Sequence, residues 1–171
     1  MKISVFAGEI TDAPADAICT STNPRLSLMM GTGGAVRERG GPEVLRACQE
    51  ILQRNGSQLL PVGSAHVTTA GKLPHRIAIH CVASDASHLS SENVIRACVT
   101  NALLRANAER CATVAMPVFG TGHAHVRFER ALSAMAAAFR SASSAVDHVI
   151  VVVAEGDRAE MARRVLVTDQ P

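Results

Sequence analysis

Two glycine-bounded stretches concentrate the groups of this chain that could do chemistry. The first runs Asn23-Pro-Arg-Leu-Ser-Leu-Met-Met-Gly-Thr-Gly-Gly-Ala-Val36. Gly31, Gly33 and Gly34 precede a helical pattern and predict a loop with its amide hydrogens turned outward, in which Gly33 can take a positive φ. With no side chains in the way, a phosphate could approach that backbone closely. The second runs Met116-Pro-Val-Phe-Gly-Thr-Gly-His-Ala-His125, and Gly120-Thr121-Gly122 offers another nest of amides with a hydroxyl in it. A lone G-x-G-G serves equally as a tight turn with close helix–sheet contact. Two such loops at one end of a sheet could grip the two phosphates of a diphosphate, and the pair is the more specific signal.

The reactive side chains nearby each have two readings. His123 and His125 alternate and could share a face as metal ligands, but no third ligand is evident, so they are expected as exposed loop histidines with no metal. Cys81 follows His80 and could suggest a thiol nucleophile. Its setting, Ile77-Ala-Ile-His-Cys-Val82, is that of a buried cysteine. Asn23 either caps a turn or hydrogen-bonds a sugar hydroxyl, and spacing alone does not decide between them.

These loops must be held by regular elements, and the apolar period switches repeatedly between strand and helix. Strands are predicted at Ile3–Ala7, Ala15–Thr22, Ser64–Thr69, Arg76–Val82, Thr113–Met116 and Val149–Val153, the last expected to be covered on both faces. Helices are predicted at Gly41–Arg54, Ser91–Ala106 and Val126–Arg140, with Phe128, Leu132, Met135 and Phe139 facing inward. A last helix should start near Asp157, with Glu160 in its first turn and Met161 and Val165 on its apolar side. Alternating strands and helices indicate an α/β layered sheet, whose ligands sit in the loops at the carboxyl ends of strands.

Composition narrows the class. The 171 residues fit one domain, 1–171; with 47% apolar and 19% charged residues, disorder is excluded. Four phenylalanines are the only aromatics, too few for a module that stacks bases or sugars. The net charge of +2 comes without a basic stripe, which argues against non-specific DNA binding. Five cysteines without a C-x-x-C pair read as buried thiols of a reducing compartment. With no signal-peptide core and no membrane-length apolar run, a cytoplasmic protein with no membrane partner is expected.

The order Gly8-Glu-Ile-Thr, Ala15-Asp-Ala-Ile, Thr22-Asn23, Gly31 to Gly34, Leu73-Pro-His-Arg-Ile-Ala-Ile-His80 and Met116-Pro-Val-Phe-Gly-Thr-Gly122 resembles a macrodomain over nearly the whole chain. Val62 through Cys81 looks most like the macrodomain fused to a vertebrate histone variant. Met30-Gly-Thr-Gly-Gly-Ala35 resembles macrodomains of the antitoxin and terminal ADP-ribose glycohydrolase type. The resemblance implies a three-layer α/β/α fold with a mixed central sheet and a cleft for ADP-ribose, with no cofactor. It also implies a site: Glu9 on the adenine amino group, Ile10 beside it, and Asn23 near the distal ribose. Gly31, Thr32, Gly33, Gly34, Ala35 and Val36 would form the first phosphate loop, and Phe119, Gly120, Thr121, Gly122, His123 and Ala124 the second. Gly33 stands where deacylating members carry an aspartate. Cys81 and Ala124 stand where glycohydrolase-type members carry a lysine and an aspartate, and Ala124 also replaces an aromatic over the distal ribose. Loss of such acid–base groups removes about 10²–10⁴-fold in rate. The expected function is therefore binding of ADP-ribose, or of an ADP-ribosylated macromolecule, as a reader or sequestering module. The alternative is a hydrolase removing ADP-ribose from protein or nucleic acid, or deacetylating O-acetyl-ADP-ribose, with Asn23, His123 and His125 as catalytic candidates. A nucleotide- or RNA-binding domain of other preference is the third reading.

Overall fold

Val149-Ile-Val-Val-Val153 behaves as its pattern requires, with all five residues buried. The computed structural model describes residues 1–167, and this run lies in β6, second from the edge of a six-stranded sheet. The strands are β1 (Lys2–Ala7), β2 (Ala17–Thr22), β3 (Ala65–Thr69), β4 (Ile77–Val82), β5 (Thr113–Pro117) and β6 (His148–Val153), in the order β1-β6-β5-β2-β4-β3. All neighbours are parallel except β3, which pairs antiparallel with β4 at the edge. The sheet is mixed.

The helices are α1 (Gly31–Gly40), α2 (Pro42–Arg54), α3 (Glu92–Ala108), α4 (Phe128–Ser141) and α5 (Asp157–Leu166), with a 3-10 turn at Ile10–Asp12. Because strand side chains alternate, β6 sends Val149, Val151 and Val153 into one core and Ile150 and Val152 into the other. The first core joins Ile95, Cys98 and Val99 of α3, Leu132 and Met135 of α4, and Ala159 and Ala162 of α5. The second joins Val36 of α1 with Val44 and Cys48 of α2. The result is three layers, α/β/α. No helix among the described residues is long and apolar enough to cross a membrane.

The structure departs from the sequence expectations at α1, at the start of β2 and at Phe128. Gly31 to Gly34 are not a loop but the first turn of α1. Val36 is the only large buried side chain of that helix, so no apolar period marks it. Gly33 is accordingly helical and buried; the positive φ, 58°, belongs to Gly31. β2 begins at Ala17, because the Asp16 carboxylate accepts the amides of Ala112 (2.8 Å) and Thr113 (2.9 Å) and pins the foot of β2 to β5. Asp157 begins α5 with Glu160 in its first turn, as expected; Gly156 is the cap residue and no side-chain cap bond forms. Phe128 is only partly buried against the core, while Leu132, Met135 and Phe139 are buried as expected. Ser91 caps α3, its Oγ accepting from the Val94 amide at 3.3 Å.

Candidate functional site

A cleft of about 390 Å³ opens where β2, β5 and β6 end and their chains turn toward helices, the position expected of a ligand site in such a sheet. Its first wall starts at Asn23. The side-chain oxygen there accepts the amides of Arg25 (3.0 Å) and Ser27 (3.3 Å) and so caps the turn. Its Nδ2 has no acceptor among the described residues, and Asn23 lines the cleft; turn cap and free donor coexist in one side chain. The wall continues into the N-terminus of α1. Gly34 donates to the Met30 carbonyl at 3.1 Å, while the amides of Gly31, Thr32 and Gly33 have no acceptor among the described residues. The Thr32 hydroxyl accepts the Ser21 amide at 3.1 Å and ties this helix start to β2. Free amides at a helix start, with the helix dipole behind them, favour an anion.

The second wall is loop 118–127. Gly120 has φ 76°, and a Cβ there would meet Ile95, Ser90 and Val126 at 3.2–3.3 Å, so only glycine fits this turn without displacing neighbours. The loop closes on itself through Val126 N to Gly120 O and His125 N to Gly122 O, both 3.0 Å. The Thr121 hydroxyl donates to the Val118 carbonyl at 2.8 Å and so braces the loop. That leaves the amides of Gly120, Thr121, Gly122, His123 and Ala124 without an acceptor among the described residues.

A third loop, 83–91, contributes His88. Asp85 organises it, its Oδ1 accepting the amides of Ser87 and Leu89, both at 2.8 Å. His88 itself has φ 62°, and its ring lies 6.2 Å from that of His123, centroid to centroid. Also lining the cleft, the Arg158 guanidinium lies 5.2 Å from the Phe128 ring centroid, a cation–π contact. Among the described residues, the ionisable side chains lining the cleft are His88, His123 and Arg158, and no carboxylate lines it. It is built for an anion.

Of the residues predicted from sequence, Asn23, Gly31, Thr32, Gly120, Thr121, Gly122, His123 and Ala124 meet at this cleft. Val36 and Phe119 are fully buried behind it, as is Gly33, while Gly34 and Ala35 are half-buried further along α1. Glu9 is exposed and Ile10 buried just beyond β1, outside the lining. The bond from Gly8 N to Val153 O (2.9 Å) keeps that segment beside the β6 end of the cleft. His123 and His125 are parted: His125, at φ 53°, faces a neighbouring hollow with Ser90 and Arg127. Cys81 is fully buried, and burial, with Cys19 beside it, pushes its thiol well above the ordinary range, so it offers no thiolate. Sequence reasoning missed His88, Ser84 and Arg158. The signal for the first two was present: Ser84-Asp-Ala-Ser-His-Leu-Ser-Ser91 is a third polar junction between a strand and a helix.

Residues 19–135 match the family described as Macro domain. A Macro domain-containing protein of Listeria monocytogenes is 34% identical over 125 residues, 71% of this chain and 69% of the relative. An O-acetyl-ADP-ribose deacetylase of Escherichia fergusonii is 34% identical over 124 residues, 71% of this chain and 68% of the relative. Among solved structures, the Oceanobacillus iheyensis macrodomain with ADP superposes with a TM-score of 0.87 at 25% identity, covering 96% of this chain and 89% of that one. The Trypanosoma brucei macrodomain in complex with ADP-ribose shares the fold, with a TM-score of 0.82 at 20% identity over 95% of this chain and 68% of that one. The three-layer fold and its amide-lined cleft are those of a macrodomain. The chain belongs to the Macro domain family.

Proposed function

We propose that this protein binds ADP-ribose, free or attached to a macromolecule, and holds its diphosphate between the start of α1 and loop 118–127. The observation that carries the reading is the pair of amide sets without acceptors, Gly31 to Gly33 at the start of α1 and Gly120 to Ala124 in loop 118–127, on either side of a cleft that no carboxylate lines among the described residues. Hydrogen bonds from such donors to a charged acceptor contribute about 1.5–3 kcal/mol each. The Oceanobacillus and Trypanosoma structures named above, with ADP and ADP-ribose, support the choice of ligand. Asn23 Nδ2 would serve a ribose hydroxyl and Glu9 the adenine amino group. Calorimetry with ADP-ribose against AMP tests this. Affinity should fall sharply for AMP, and equal affinities would remove the diphosphate from the argument.

Binding without efficient turnover accords with the same lining, since among the described residues no carboxylate base stands there for water at the ribose. The hydrolase or deacetylase reading has one specific observation in its favour, the two imidazoles of His88 and His123 at the cleft, and the deacetylase relative accords with it. Incubation with a mono-ADP-ribosylated protein and with O-acetyl-ADP-ribose separates the two. Release near background supports the binder; robust release that disappears in Asn23→Ala or His123→Ala establishes the enzyme.

A further inference from the structure

Among the described residues, two histidines from two different loops join Arg158 as the ionisable lining of the cleft. Loop 83–91 is shaped to present one of them. The Asp85 side chain and carbonyl hold the amides of Ser87, His88 and Leu89, and His88 adopts a left-handed backbone that a non-glycine residue takes rarely. Its ring thereby comes within 6.2 Å of His123, which itself belongs to the loop of acceptor-free amides. Both residues are exposed and both line the cleft.

We propose that His88 and His123 form a proton-dependent clamp on the anionic ligand: both imidazoles carry charge when the diphosphate is bound, and binding draws protons from solvent. This rests on the ADP-ribose reading above. The charged groups around the pair fit that role. Asp85, on the loop of His88, is engaged with its own backbone amides. Loop 118–127 adds His125, which faces the neighbouring hollow. From α1 comes Arg37, whose guanidinium meets the Met29 sulfur at 3.4 Å, and from α5 comes Arg158 over Phe128. Among the described residues no carboxylate lines the cleft to neutralise a charge on either ring. An anionic diphosphate held in the cleft beside both rings favours the charged form of each. Histidine is the side chain whose charge ordinarily changes between pH 5 and 8.

ADP-ribose is a suitable probe, because each of its two phosphates keeps one constant negative charge between pH 6 and pH 8. The experiment is calorimetry of the whole protein with ADP-ribose at pH 6, 7 and 8, each in two buffers of different ionisation enthalpy. Affinity should weaken about tenfold or more from pH 6 to pH 8, with net proton uptake seen as a buffer-dependent heat. His88→Gln combined with His123→Gln keeps polar side chains but not the charge, and should flatten the profile and abolish the uptake. Constant affinity without proton uptake in the parent protein, or undiminished uptake in the double variant, would overturn the clamp while leaving the ADP-ribose reading intact. Absence of ADP-ribose binding at all three pH values would instead overturn that reading and the clamp with it.

Discussion

Lowering the pH from 8 to 4 should cost this protein about 3 kcal/mol of stability through one residue, His80. The ring lies on β4, fully buried between β2 and β3. The Thr68 hydroxyl donates to the Thr69 carbonyl at 2.9 Å, so it accepts from His80 Nε2 at 2.8 Å. His80 Nδ1 then accepts from the Thr20 hydroxyl at 2.8 Å. The site is satisfied by a neutral ring, and protonation adds a buried charge with no partner. Burial, with a smaller contribution from His66, lowers its pKa from the usual 6.5 to about 4. Below pH 6.5 the unfolded chain takes up a proton that the folded chain refuses, so stability is complete above that pH and is lost as pH falls toward 4. At 1.36 kcal/mol per pH unit the gap is worth about 3 kcal/mol, of which about 2 is lost by pH 5. Burial also lowers His66 and His75, the latter despite its bond to the Ala13 carbonyl, so they add to the loss. Urea denaturation at pH 8, 6, 5 and 4 measures it. His80→Gln should be less stable at pH 8 yet show a shallower pH dependence. A parent protein equally stable at pH 8 and pH 5, or a variant with the parent's slope, would refute the reasoning.

Three further predictions concern the cleft. Gly33→Val places a Cβ 3.1 Å from Leu28 Cδ2 and 3.3 Å from its Cα; overpacking of this kind costs about 1–3 kcal/mol, so an unchanged Tm would contradict the packing described for α1. Glu9→Ala should weaken ADP-ribose binding by about 1.5 kcal/mol or more, and Glu9→Gln, which keeps an acceptor, by less; if both bind like the parent, the purine lies elsewhere. Turnover of a mono-ADP-ribosylated protein should stay near background even at saturating binding, and rapid release would contradict the binder reading.

The layered fold was legible because its strands and longer helices carry their periods openly. Val149–Val153 reads as a doubly covered strand, and Ile95, Cys98, Val99, Ala102 and Leu103 mark the inner face of α3. The antiparallel course of β3 has no local signature in Ala65–Thr69; it follows from pairing with β4. α1 was hidden because three of its first four residues are glycine, which propensity reads as a turn. Its helical state comes from tertiary contact, with Val36 buried and Gly33 against Leu28. The structure brings Gly31 and Thr32 of the first glycine stretch and Gly120 to Gly122 of the second to one cleft, but the rest of its lining is a property of three dimensions. His88 enters it through a left-handed residue in a loop held by Asp85, and Phe128 turns from expected core to cleft lining beneath Arg158.

The most direct test of the central claim is an amide NMR titration of the protein with ADP-ribose. The account predicts that the resonances of Gly31 to Gly33 and of Gly120 to Ala124 shift together and saturate at the same ligand concentration, as both amide sets gain the acceptor they lack in the structure. Shifts that spare either set, or that cluster away from the ends of β2, β5 and β6, would contradict it.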